Sequence, residues 1–211
     1  ASLINVVCNI SRNRAYPDFK NDSKFNNLTE NTMEILFKAN SFPNTLNTLM
    51  GIESNYLLRI GDATIPNNQL QVATSVNNCT SADLQLESGK WYHVAVAFNK
   101  GNVKVYINGV EKLSGSTGKS SVSLGAKHTN EEDGSRCFWV GYSYKDDRYF
   151  DGVVSEVRIW NRALTAEEIQ ATNHFYTIEP ESEGLIAYWK FDEGSGTVAK
   201  DYSVSGYDLT I

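Results

Sequence analysis

The stretch FDGVVSEVRIWNRALTAEEI, Phe150 to Ile169, changes its period half-way along. Its first half alternates as a strand does. From Val153 to Ile159 the odd positions run Val, Ser, Val, Ile and face a core, which leaves Glu156 and Arg158 two apart on the other face, where they can pair. Asn161-Arg162-Ala163 turns the chain. Thr165 and Glu168 then have the spacing of a capping box, with Leu164 and Ile169 at the positions of a hydrophobic staple. Glu167 and Glu168 fall in the first turn, where the helix dipole favours negative charge. The spacing predicts a strand running into one short helix near 165–172, with its charges in structural rather than catalytic roles.

Outward from this corner, short apolar alternations recur between turn residues. Residues 33–42, 55–62, 68–76, 90–100, 102–109, 135–144 and 153–160 read as strands. In the clearest, Tyr92, Val94, Val96 and Phe98 fall on one face and Trp91, His93, Ala95 and Ala97 on the other. Both faces are apolar enough for a central strand covered on two sides, which makes His93 a core histidine rather than a ligand or base. Asn99-Lys-Gly-Asn reverses the chain, and Asn108-Gly109 has the composition of a tight hairpin. The strand between alternates Val103, Val105 and Ile107 with Asn102, Lys104 and Tyr106, and so reads as half exposed. Many strands with one helix mean a β-sandwich or barrel.

Composition narrows the function classes. With 211 residues and no Pro- or Gly-rich divider, residues 1–211 read as one domain; 41% hydrophobic residues suffice for a core, and two Met against eleven Tyr and nine Phe suit strands. A net charge of −6 argues against nucleic acid or an anionic membrane as partner. No apolar run is long enough to span a bilayer, and Ala1 does not open a signal peptide. The start reads as mature or trimmed, with any export signal or lipid anchor upstream. Cys8, Cys79 and Cys137 match neither a zinc knuckle nor a redox pair; they read as three buried thiols, or as one disulfide and one free thiol. Asn9, Asn21, Asn27 and Asn78 each open an N-x-[ST] triplet, which matters only on a eukaryotic secretory route.

WYHVAVAFNKGNVKVYINGVEK (91–112) together with FDGVVSEVRIWNRALTAEEI resembles the laminin-G-like branch of the concanavalin-A-like lectin/glucanase superfamily. GLIAYWKFDEGSGTVAKDYSVSGYDLTI (184–211) is similar to a further hallmark segment of that branch, placed in many relatives at the start of the domain. TLMGIESNYLLRIGDATIPNNQLQVAT (48–74) resembles a narrower subgroup, C-terminal modules of bacterial surface lipoproteins. The resemblance implies an all-β, two-sheet antiparallel jelly roll and often a glycan-binding role. It makes Trp91 and Val157–Trp160 structural hallmarks. It also implies an extracellular or outer-membrane location within a longer surface protein, whose other domains would be partners. Many members carry an Asp-Glu pair where Ser155-Glu156 stands here, and the resemblance implies that calcium frequently sits near that edge or beside the C-terminal Asp-rich turn, so this departure counts against an inherited calcium site. Asp151, Glu156, Asp192 and Asp201 remain candidate oxygen ligands of a structural calcium ion, and no cofactor is required.

For catalysis this fold needs two carboxylates across a cleft. Glu131-Glu132-Asp133 begins the glucanase pattern E-x-D-x-x-E but continues Gly-Ser-Arg, and no other segment fits. There is no G-x-S-x-G elbow, H-E-x-x-H pair or phosphate loop. For binding the material is better, since sugars stack their C–H faces on aromatic rings and bond their hydroxyls to planar polar groups. FWVGYSYKDDRYF (138–150) offers Trp139 and, as ligand-binding candidates, Tyr142, Tyr144, Asp146, Asp147, Arg148 and Tyr149. Arg59 and Gln71 join them, because each points away from the core its apolar neighbours fill. The expectation is a non-catalytic module for a glycan or polysaccharide; the alternatives are a protein-interaction or spacer domain, and a glycosidase or lyase with a degenerate site.

Overall fold

The computed structural model describes residues 8–9, 15–17, 19, 22–125, 138–143 and 146–211. Strands are numbered in chain order. Seven of them form the larger antiparallel sheet, in which β11 (Asp151–Trp160), β2 (Glu30–Ser41), β7 (Trp91–Asn99), β8 (Asn102–Ile107) and β9 (Val110–Ser116) follow one another. Both β1 (Cys8–Asn9) and β12 (Leu185–Trp189) pair with the remaining side of β11. The second sheet runs β10 (Trp139–Val140), β3 (Asn47–Ile52), β4 (Tyr56–Asp62), β5 (Ile65–Thr74), β6 (Asn78–Gln85). A small ribbon of β13 (Val198–Ala199) and β14 (Leu209–Thr210) completes the β structure of the described residues. The two large sheets close on one apolar core as a jelly-roll sandwich, with Phe37, Val96 and Val157 from the first meeting Leu58, Ile60 and Val72 from the second.

On β7, Tyr92, Val94, Val96 and Phe98 enter this core as the alternation requires. Ala95 and Ala97 face the other way, into a second, smaller core with Trp160, Leu164, Ile169 and Tyr188. The centre of the larger sheet is therefore covered on both faces, and His93 is 1% exposed. Tyr106 corrects the reading of β8 as half exposed: only Asn102 and Lys104 face water, while Tyr106 is buried in the second core. The hairpin between β8 and β9 turns at Asn108 and Gly109, both at positive φ (50° and 78°).

The corner at 150–169 has the predicted parts and one irregularity. A bulge between Val154 and Glu156 shifts the register of β11 on β2, so Val154 rather than Val153 enters the core, and strict alternation resumes at Val157 and Ile159. The capping box is complete: Thr165 Oγ1 accepts from Glu168 N–H, and the Glu168 carboxylate accepts from Thr165 N–H at 2.8 Å. α1 covers only Ala166–Ile169 and gives way to turns before residue 172. Leu164 and Ile169, the staple pair, are both buried in the second core.

The 135–144 strand is reduced to Trp139–Val140, with residues 135–137 and 144 outside the described residues. The segment 184–211 supplies β12 and a turn organised by Asp201, whose carboxylate accepts from Tyr188, Ser203 and Tyr207 N–H. Tyr16 and Thr210 exchange backbone hydrogen bonds at 2.9 Å, so the early and late parts of the chain lie together. That proximity is what lets a hallmark segment stand at the end rather than the start.

Candidate functional site

The outer face of the five-stranded sheet carries a bonded set of polar side chains. Arg59 lies opposite Thr48 on β3 and Gln71 on β5, and Gln71 lies opposite Thr80 on β6. These residues form one row across four strands. Arg59 Nε donates to Gln71 Oε1 at 2.8 Å, and Gln71 Nε2 donates to Thr80 Oγ1 at 3.1 Å. The other guanidinium nitrogens of Arg59 reach Glu53 Oε1, at 3.4 Å, and the carboxylate of Asp62. Asp62 reaches this face because the β4–β5 register slips between Ile60 and Asp62, at Gly61 with φ +82°.

Glu53 joins the row to the loop after β10. Its Oε2 lies 3.0 Å from Arg148 Nη1 and accepts from Ser143 Oγ at 3.5 Å. Arg59 and Arg148 thus balance Glu53 and Asp62. Beside it Trp139 lies opposite Gly51, which in turn faces Leu57. Its ring meets Tyr16 edge-on at 5.1 Å and Tyr142 at 5.5 Å. The Trp139 indole N–H and the Thr48 hydroxyl are buried without a hydrogen-bond partner among the described residues.

The structure gathers three of the sequence candidates, Arg59, Gln71 and Arg148, through Glu53. Arg59 and Gln71 are buried and make the floor, while Arg148, Thr80 and the exposed Asp147 make the rim. Tyr142 is buried against Trp139, so its ring is part of the wall. Asp146 opens a 3-10 turn that runs to Arg148. Tyr149 is half-buried, and its carbonyl accepts from Asn44 Nδ2 at 2.8 Å. Tyr144 lies outside the described residues, as do Glu131–Asp133. Sequence reasoning missed Glu53 and Asp62, one in a turn and one re-aimed by a register slip, for which periodicity gives no signal. Thr80 could have been found, since polar β6 residues opposite Gln71 share its face.

The calcium candidates do not converge. Asp151 accepts from Ser41 Oγ at 2.5 Å, Asp192 from Tyr202 OH at 3.1 Å, Glu156 from Arg158 at 2.9 Å, and Asp201 is taken up by its own turn. Cys79 is a buried free thiol, and burial pushes its pKa up. On the opposite side of the sandwich a cleft of about 710 Å³ opens between Tyr106 and Leu164, but its polar pair Lys104 and Glu111 is exposed and self-paired at 3.2 Å.

A family model described as the concanavalin A-like lectin/glucanases superfamily, of laminin G type, matches residues 13–170. The chain belongs to this family. No curated protein matches the sequence. Among solved structures, this laminin-G-type chain is similar to a candidate carbohydrate-binding protein of Bacteroides ovatus ATCC 8483. The identity is 28% and the TM-score 0.79, over 98% of this chain and 58% of that one. The chain thus spans a little over half the length of that relative. It shares its fold with domain 4 of AbnA, a GH43 extracellular arabinanase of Geobacillus stearothermophilus solved with arabinotriose (23% identity, TM-score 0.53, 70% of this chain and 68% of that). The same holds for the CBM40 of the Ruminococcus gnavus IT-sialidase bound to α2,3-sialyllactose (16%, 0.53, 81% and 98%). The laminin-G-type fold seen here is one on which carbohydrate-binding modules are built, and no helix among the described residues is long and apolar enough to cross a membrane.

Proposed function

We propose that the chain is a non-catalytic glycan-binding module of a secreted or cell-surface protein, binding on the outer face of the five-stranded sheet. The observation that carries this reading is the Arg59-centred plate. Burying a connected polar network on the outside of a sheet costs desolvation that apolar residues would avoid. Its return is a rigid rim: Arg59 holds Glu53 and Gln71, and these hold Arg148 and Thr80. Fixed planar donors and acceptors along such a rim suit the hydroxyls of a sugar.

The two less exposed carboxylates of the face, Glu53 and Asp62, are held by arginine, so neither of these stands ready as the acid or nucleophile of a glycosidase. The similarity to the Bacteroides ovatus protein supports a glycan partner. Its greater length supports a parent chain with other domains, and we place that parent among surface lipoproteins at the bacterial outer membrane.

Affinity electrophoresis through gels containing plant and host polysaccharides tests the proposal. The wild type is expected to be retarded by at least one polysaccharide. Arg148→Ala is expected to weaken that retardation at least about tenfold, the loss of one charge-assisted contact at a binding centre, with its thermal midpoint unchanged. A folded wild type that no polysaccharide or glycan array retains would refute it and favour a protein-interaction role.

A further inference from the structure

Beneath the turns that follow α1, three side chains from distant parts of the chain converge. Glu34 comes from β2, His93 from β7 and His174 from the α1–β12 connection, and they are 1%, 1% and 6% exposed. One ligand-type atom from each lies within 4.8 Å of the others. His174 Nε2 is 2.6 Å from Glu34 Oε1, and His93 Nε2 is 3.2 Å from the same oxygen. The second carboxylate oxygen, Oε2, accepts the Trp160 indole N–H at 2.7 Å, with Arg158 Nη1 3.7 Å away. One oxygen therefore fixes the orientation of the carboxylate, and the other is presented to two imidazoles. In metal sites an outer partner orients a ligating carboxylate in this way.

The buried charges here do not balance. Glu34 and Glu156 bring two negative charges and Arg158 one positive charge, and all three side chains are largely or fully buried. An uncompensated buried charge is costly, so a proton on a carboxyl or an imidazole, or a cation, completes the set. Two features favour the cation. His93 Nδ1 has no hydrogen-bond partner and Nε2 has only its 3.2 Å contact with Glu34, although the ring is buried and stacked on Phe175 at 4.4 Å. Two imidazoles and one carboxylate also form a common zinc ligand set.

The spacing from Glu34 to each imidazole fits with one small adjustment, and the two imidazoles lie within 4.8 Å of each other. Bonds of about 2.0–2.1 Å at tetrahedral angles separate two zinc ligands by roughly 3.3 Å. His93 and Glu34 already stand at about that separation, and His174 has to withdraw by roughly 0.7 Å. His174 can do so, because it sits on a surface turn whose neighbours Asn173 and Tyr176 are exposed. That turn is also the way in. We propose that Glu34, His93 and His174 supply three ligands of a zinc site, its fourth position left to water, that clips the α1–β12 connection onto the seven-stranded sheet.

The test uses the chain stripped with EDTA, incubated with excess Zn²⁺ and passed through gel filtration before elemental analysis. The expected result is about one zinc per chain, tetrahedral visible bands when Co²⁺ replaces zinc, and a melting midpoint roughly 5–10 °C above that in EDTA. His174→Gln is expected to lose the zinc and the shift while melting in EDTA within a few degrees of the wild type. A wild type that retains no zinc and melts identically in both buffers would show a hydrogen-bonded cluster only and overturn the proposal. Zinc retained undiminished by His174→Gln would overturn it too, by placing the metal elsewhere. His93→Gln is expected to lose the zinc as well; should it fail to fold, the wild-type content and the His174→Gln loss decide alone.

Discussion

Arg158 shows how strongly one buried residue can organise its surroundings. Its guanidinium donates to Glu156 Oε2 at 2.9 Å and to the His174 carbonyl at 2.6 Å, and it lies over the Tyr188 ring at 5.2 Å. Burial alone would raise the Glu34 carboxyl, but contacts with His174 and His93 and the charge of Arg158 hold it well below the usual carboxylate range. Burial pushes the Glu156 carboxyl the other way, upward, with Arg158 opposing it. Removing the guanidinium takes the 2.9 Å partner from Glu156 and a nearby positive charge from Glu34, and it weakens the hold on the 174 turn. Arg158→Ala is expected to cost about 3–5 kcal/mol, the range for breaking a buried ion pair, measured as a shift in urea midpoint. Arg158→Lys is expected to recover little of it, because an ammonium cannot reach two acceptors and stack at once. A loss under about 1 kcal/mol would place Arg158 among ordinary surface pairs. The sequence shows that Glu156 and Arg158 can pair; it does not show Glu34 and His174, which the fold brings from 124 and 16 positions away.

At the scale of the element, Gly51 is a tight point in the wall of the proposed site. Its φ is +120°, and a Cβ there would stand 2.3 Å from the Tyr56 carbonyl oxygen and 2.9 Å from Leu57 Cα. Both are backbone atoms of the paired strand, so neither can move without opening the β3–β4 hairpin. Gly51→Ala is expected to cost at least about 2 kcal/mol, combining strain and clash, and to displace Trp139 opposite. Gly194, at φ +73° with nothing within 4 Å, is the control. Gly194→Ala is expected to cost only about 1 kcal/mol, the conformational part alone. Equal costs at the two sites by chemical denaturation would remove the steric argument.

Gly51 also explains what the sequence leaves hidden. β2, β4, β5, β7, β8 and β11 alternate clearly and are legible. By contrast β3 reads Asn-Thr-Leu-Met-Gly-Ile, with Leu49 and Met50 both in the core, and has no period to follow. β6 and β9 are largely polar because each lies at a sheet edge. Of the site, Arg59 and Gln71 were legible because a polar residue between core residues must point outward. The turn that delivers Glu53 and the bulge that delivers Asp62 carry no such signal.

Across the whole molecule the two networks lie on opposite outer faces, with the main core between them. The glycan proposal uses the Arg59 plate outside the five-stranded sheet. The corner with α1, the second core and the Glu34 cluster lie outside the seven-stranded sheet. Packed sheets stand about 10 Å apart, so the outer faces exceed the distance at which substitutions couple. Thr165→Ala removes the cap of α1 and is expected to cost about 1 kcal/mol, or roughly 2–4 °C in melting midpoint for a chain of this size. It should leave polysaccharide retardation unchanged. Arg148→Ala should do the reverse, weakening retardation while the melt stays put. The double variant is then expected to show both losses, each within about 0.5 kcal/mol of its single-variant value. A double variant whose binding falls further than that of Arg148→Ala would mean that the corner and the plate share one conformational equilibrium. The sandwich core would then transmit strain between its faces, and the division of labour drawn from the geometry would fail.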